Sequence, residues 1–158
     1  MSNGDAITGR SMEDLAKPKI FIDADVLIAG SASVAGASHI ILHLSDLTII
    51  ECIISQQVKV EAERNLREKM PQALPAFGQL VESAVKLVDD PDENQLVSLQ
   101  GQAHVEDLPL LAAALLHRCH YLVTFNVKHY HPRGEKIIIL RPSEFLYRLR
   151  QQLMGLIP

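Results

Sequence analysis

Short apolar runs separated by longer amphipathic stretches set the organisation of this chain. "KIFID" (19–23), bounded by Pro18 and polar residues, reads as a buried strand. Residues 26–46 read as mainly helical, with an Ala/Ser/Gly-rich interruption at 30–38. "LTIIEC" (47–52) is a second predicted strand. Ser55 then caps a predicted helix that runs to about Met70, where Pro71 stops it. A helix over 72–85, a short apolar "KLV" and the turn "DDPDEN" follow, and then helices over 93–102 and 108–118. "YLVTF" (121–125) and "KIIIL" (136–140) are the last strands, and Ser143 is the predicted cap of a final helix, "EFLYRLRQQL". Strands alternating with helices predict an α/β fold. It is expected to be a three-layer arrangement with a central parallel sheet of about five short strands, covered on both faces. In such sheets ligands bind outside the carboxyl ends of the strands, where strand order reverses. Asp23 and Asp25 follow one such end, Thr124 and Asn126 another, so the two pairs are expected to meet.

Composition changes this picture little. A hydrophobic content of 47% with 22% charged residues in 158 residues suits a packed core, not disorder. The expectation is a flexible polar tail over 1–17 and a single domain over 18–158. No apolar run approaches the roughly 18 residues that cross a bilayer, and the first residues lack a basic-then-apolar leader pattern. Cys52 and Cys119 form neither a disulfide framework nor a metal-binding pair. No membrane partner and a cytoplasmic location are therefore expected. Charge is uneven: residues 1–127 carry 9 basic and 17 acidic side chains, whereas residues 128–158 carry 6 basic and 2 acidic. Lys128, Arg133, Lys136, Arg141, Arg148 and Arg150 are either contacts for a phosphate backbone or a solvated surface.

The acidic residues carry the chemistry, and each has a plain structural alternative. Asp23 ends a buried strand behind three apolar residues, where a carboxylate needs a partner or a metal. Asp25 opens the next segment and would serve equally as a helix cap. In "SQQVKVEAERNLREKM", Val58, Ala62 and Leu66 mark the inward stripe of a helix. Glu61 falls about 60° from Val58, at the edge of that stripe, while Glu63 lies about 140° away and can pair with Arg67. Glu61 therefore faces either a site or a salt bridge to Arg64. Asp107 in "HVEDLPLLAAALLHRC" stands where a helix cap belongs, ahead of Pro109. Capping does not exclude ligation by its second oxygen, and Glu106 is a weaker candidate at the same place. Thr124 and Asn126 are followed by His129, which reads as a surface residue. Oxygen ligands without a Cys/His cluster suit Mg2+ or Mn2+, not Zn2+, and such a site is equipped to hydrolyse a phosphodiester.

The order and spacing of these four segments, over roughly residues 18 to 147, resemble the PIN domain family of compact metal-dependent nucleases. "FIDADVLI" resembles the family's opening strand, which puts its first catalytic Asp at Asp23, with Asp25 where members carry Asn or Asp. "VKVEAERNL" is similar to the helix bearing the family's Glu, at Glu61. "EDLPLLAAALLHRCHYLVTFNVKHY" resembles the segment with the third acid, Asp107, the Ala-rich helix and the Thr-x-Asp/Asn strand end, at Thr124 and Asn126. "RPSEFL" is similar to the lead into the family's last helix. The resemblance implies that Asp23, Asp25, Glu61, Asp107 and Asn126 hold one or two Mg2+ or Mn2+ ions that activate a water against phosphorus. Thr124 would position water or phosphate. Position 126 departs from the pattern: many members carry a fourth acid there, and an uncharged Asn weakens the hold on a second ion.

The resemblance further implies an endoribonuclease acting on RNA, the toxin of a toxin–antitoxin pair with a cognate antitoxin protein as partner, and a homodimer. With no Trp and few other aromatics, little is available for stacking bases. A catalytically weak PIN module acting in binding or assembly is the alternative that Asn126 favours. "FIDADVLI" also fits the opening of haloacid dehalogenase-like phosphatases. Here, however, "VDD" (88–90) precedes "LVT" (122–124) and no later acidic pair follows, so the order of that family's motifs is wrong.

Overall fold

A computed structural model describes residues 17–156. The tail expected over 1–17 lies outside the described residues, Lys17 excepted. The chain runs β1 (Lys19–Ile22), α1 (Ala24–Ala32), α2 (Ala37–Asp46), β2 (Glu51–Ser55), α3 (Gln56–Lys69), α4 (Leu74–Ser83) and β3 (Val85–Val88). It continues through α5 (Glu93–Val97), α6 (Leu108–Leu116), β4 (Tyr121–Val123), β5 (Ile138–Leu140) and α7 (Pro142–Met154). Single turns of 3-10 helix at Pro71–Ala73 and Val127–His129 complete the path.

The five strands form one sheet in the order β3-β2-β1-β4-β5, every neighbouring pair parallel. β1 is central: Phe21 pairs with Ile53 on one side and Leu122 on the other. Successive residues of β1 point to opposite faces, yet Ile20, Phe21 and Ile22 are all wholly buried. Helices must therefore cover both faces, as an unbroken apolar run in a parallel strand requires. The order reverses between β1 and β4, so the crevice that α/β sheets use for ligands opens beyond Ile22 and Val123. No single helix among the described residues is long and apolar enough to cross a membrane.

Two local devices hold the helices on this sheet. Gly30 lets α1 and α2 close on each other across an 89° bend. A Cβ there would run into Leu42 and lie 3.1 Å from the Ser38 carbonyl oxygen. Buried Ser45 in α2 ties three elements together: its hydroxyl donates to the Ala84 carbonyl and accepts the Cys52 N–H of β2 at 3.0 Å.

Several boundaries differ from the sequence expectation, each for a local reason. The second strand begins at Glu51, not at Leu47, because α2 runs to Asp46 and Thr48 reverses the chain at a positive φ of 64°. Ser55 does cap α3, accepting the Val58 N–H at 3.4 Å. The helix expected over 93–102 stops at Val97; the Asp92–Gln95 capping box starts it, and Gly101 turns away at φ 83°. Ser143 lies inside α7, whose N-cap is Arg141, with Pro142 supplying the first turn and Glu144 bonding back to the Arg141 N–H at 3.0 Å. β4 and β5 pair over three residues each, so Thr124 and Phe125 extend past the ladder.

Candidate functional site at the carboxyl edge of the sheet

Asp23 is the first residue beyond β1, not its last. Its N–H still reaches the Val123 carbonyl at 3.3 Å, and its side chain caps α1 by accepting the Val26 N–H at 3.2 Å. The capping role expected of Asp25 therefore belongs to Asp23, and Asp25 stands exposed in the first turn. The second Asp23 oxygen accepts the Thr124 hydroxyl proton. Thr124 is wholly buried; its Oγ1 in turn accepts the Asn126 N–H at 3.0 Å, and its own N–H donates to the Leu140 carbonyl at 2.9 Å. The end of β4 is thereby fastened to both β1 and β5. Asp23 itself is only 7% exposed.

The capping expected of Asp107 does not occur. Asp107 occupies the position before α6, but its backbone is already helical and its side chain makes no cap hydrogen bond. Its Oδ2 instead meets His129 Nδ1 at 3.0 Å. His129 is half-buried, not a free surface residue, because the segments either side of the site are stitched together. Ala103 and Tyr130 form an antiparallel bridge, the His104 N–H donates to the His129 carbonyl at 2.8 Å, and the His131 N–H donates to the Gln102 carbonyl at 2.6 Å. Glu61, exposed on α3, makes no ion pair with Arg64 or any other residue among those described, while Glu63 pairs with Arg67 at 2.8 Å. The Asn126 side chain is exposed and caps nothing.

The carboxylates act on one another. Burial raises the Asp23 pKa from 3.8 to about 6; the Thr124 and Val26 hydrogen bonds offset part of this, and Asp25 and Asp107 add to it. Glu61 is also raised, by partial burial first and then by Asp25, Asp107 and Glu106, against an opposing effect of Arg64. Burial pushes the Tyr130 hydroxyl up as well, followed by Asp107, Asp23, Glu61 and Asp25. Asp23, Asp25, Glu61 and Asp107 thus share one locality, and among the described residues none is paired with Lys or Arg. Like charges gathered without an ion pair to Lys or Arg repel, and a divalent ion relieves that repulsion. The donors are oxygens, which fits Mg2+ or Mn2+.

His104, Asp107 and His129 also offer ligand atoms within 4.8 Å of one another. The two imidazoles are stacked, however, with centroids 4.0 Å apart and planes 19° from parallel. Rings stacked in this way face each other and are not arranged around a common ion. His129 is better read as holding Asp107, the way outer groups orient a ligating carboxylate. Sequence reasoning missed His104 and the Asp107–His129 contact. The i, i+3 spacing of His104 and Asp107 was visible, but nothing in the sequence links residue 107 to residue 129.

Lys128, Arg141 and Arg148 do not all lie at one end of the sheet. Lys128 follows Asn126 closely and Arg141 follows β5, both at the carboxyl edge. Arg148 lies over the ring of Tyr121, 5.9 Å from its centroid, at the opposite end of β4.

The five-stranded parallel sheet between helical layers has a PIN-like fold. Among solved structures, the chain is similar to PAE2754 from Pyrobaculum aerophilum, at 16% identity over 85% of this chain and 96% of that one, with a TM-score of 0.59. It is similar also to VapBC2 from Rickettsia felis bound to a DNA fragment from their promoter, at 16% identity over 77% and 96%, with a TM-score of 0.56. No family model matches the sequence, and no curated protein matches it. At such identity the likeness is one of fold.

Proposed function

We propose that the protein is a divalent-metal-dependent nuclease that hydrolyses phosphodiester bonds in RNA. One observation carries this reading: Asp23, Asp25, Glu61 and Asp107, from three segments of the chain, act on one another at the sheet's switch point with no Lys or Arg paired to them among the described residues. These four, with Asn126, would hold Mg2+ or Mn2+. When bound, such an ion lowers the pKa of a water and steadies charge on a leaving oxygen.

The chain's own groups prepare that arrangement. The Val26 N–H and the Thr124 hydroxyl fix both oxygens of Asp23. Thr124, wholly buried, would act by positioning Asp23 through its hydroxyl. His129 holds one oxygen of Asp107 and leaves the other open. Lys128 and Arg141, exposed at the carboxyl edge, are the cations nearest in the chain to Asn126 and the end of β5 for a nucleic-acid backbone. Arg148, at the other end of β4, is outside this group.

The reading extends to a toxin restrained by a cognate antitoxin, and its support is the VapBC2 structure. A second reading, a binding module with weak or no catalysis, is favoured by the uncharged Asn126. Cleavage of single-stranded RNA and DNA by wild type and Asp107→Asn, in Mg2+, Mn2+ or EDTA, separates them. The expected outcome is RNA cleavage that needs the metal and falls by more than about a hundredfold in the variant. Binding of RNA without cleavage in any metal would favour the module.

A further inference from the structure

Tyr130 follows the turn of 3-10 helix after β4 and is 5% exposed. Among the described residues its hydroxyl is a buried side-chain polar atom without a hydrogen-bond partner. Leaving such a group unmade costs about 1–3 kcal/mol, and phenylalanine would fill nearly the same space without that cost. The hydroxyl is not remote from acceptors: Asp107, Asp23, Glu61 and Asp25 all act on it, Asp107 most. They do not engage it. Each Asp23 oxygen already accepts one hydrogen bond, from Val26 and from Thr124. Asp107 has one oxygen on His129 and the other open.

We infer that Tyr130 is a positioning residue of the ion site: with a divalent ion held there, its buried, unpartnered hydroxyl would donate to the Asp107 oxygen that His129 leaves open. Asp107 is then held between two outer groups, His129 on one oxygen and Tyr130 on the other, in the manner of supported carboxylate ligands. This inference rests on the metal-site reading above. Neither composition nor spacing marks residue 130; the signal is a buried hydroxyl placed where a phenyl ring would cost less.

The test compares Mn2+ binding by full-length wild type and Tyr130→Phe, using the free-ion electron paramagnetic resonance signal, alongside thermal unfolding of both in EDTA. The expected result is a Kd for Mn2+ raised about tenfold or more in the variant, with a melting temperature in EDTA equal to or above wild type. A purely structural role would instead lower the EDTA melting temperature and leave the Kd unchanged. A Kd within about twofold of wild type overturns the inference alone. Failure of wild type to bind Mn2+ overturns the metal reading and this inference with it. Ultraviolet difference spectra of wild type titrated with Mg2+ supply a check that needs no variant. The new donor bond red-shifts a tyrosine band, whereas Tyr121 lies at the far end of β4 and Tyr147 is exposed. A flat difference spectrum at saturating Mg2+ overturns the inference.

Discussion

Replacing Asp23 by Asn should stabilise the metal-free protein at neutral pH, although it removes the residue at the centre of the site. Burial holds the Asp23 carboxyl near a pKa of about 6, against 3.8 in the unfolded chain. At about 1.4 kcal/mol per unit, ionising it in the folded state costs about 3 kcal/mol. The sign follows from proton counting. Between pH 3.8 and about 6 the folded chain holds more protons than the unfolded chain, so stability falls as pH rises through that window. The substituted amide would keep an oxygen for the Val26 N–H and carry no charge. Its nitrogen would have to donate to a Thr124 oxygen that already accepts from Asn126, an adjustment of about 1 kcal/mol. The net gain at pH 7.5 in EDTA is then about 2 kcal/mol, or roughly 4–8 °C in melting temperature for a domain of this size. At pH 4, with wild-type Asp23 largely protonated, the gain disappears. Urea and thermal unfolding of both proteins from pH 4 to 8, with EDTA throughout, measure this difference directly. The reasoning is refuted if Asp23→Asn is no more stable than wild type at pH 7.5, or if the gap between them does not change with pH. Glu61 is raised too and adds the same slope to both proteins, so only the difference is diagnostic.

His129→Ala should leave the fold intact and weaken Mn2+ binding about tenfold, because Asp107 loses the group at 3.0 Å that orients it; calorimetric titration with the ion reads this, and an unchanged affinity would show that His129 is mere packing. Ser45→Ala should lower stability by about 2–4 kcal/mol, since it strands the Ala84 carbonyl and the Cys52 N–H together. Urea unfolding checks it, and a loss under about 0.5 kcal/mol would mean that the two groups find other partners.

The linear pattern determined much of this protein. Unbroken apolar runs such as "KIFI" and "YLV" imply strands buried on both faces, and their alternation with helical stretches leaves a parallel sheet as the economical arrangement. Asp23 and Glu61 were nameable because each breaks a local rule, a charge behind a buried strand and one at the margin of an apolar stripe, whereas Asp107 was marked by its place ahead of Pro109 and by the family resemblance. Boundaries were less legible where local signals compete. "LTII" has the composition of a strand, but Leu47 and Thr48 end a helix and the ladder starts only at Glu51.

Only the tertiary structure decided which partner each polar group takes. Asp25 and Asp107 both stand where a cap would serve, yet Asp23 caps α1 and Asp107 turns to His129. Those choices depend on contacts between residues 22 and 101 positions apart, which sequence spacing does not encode. The same holds for Tyr130, an ordinary aromatic in the sequence, whose hydroxyl became informative only once the sheet enclosed it beside four carboxylates. Periodicity follows from the chain's local geometry and can be read along it. Desolvation and charge repulsion are sums over neighbours in space, and they exist only after the chain has folded.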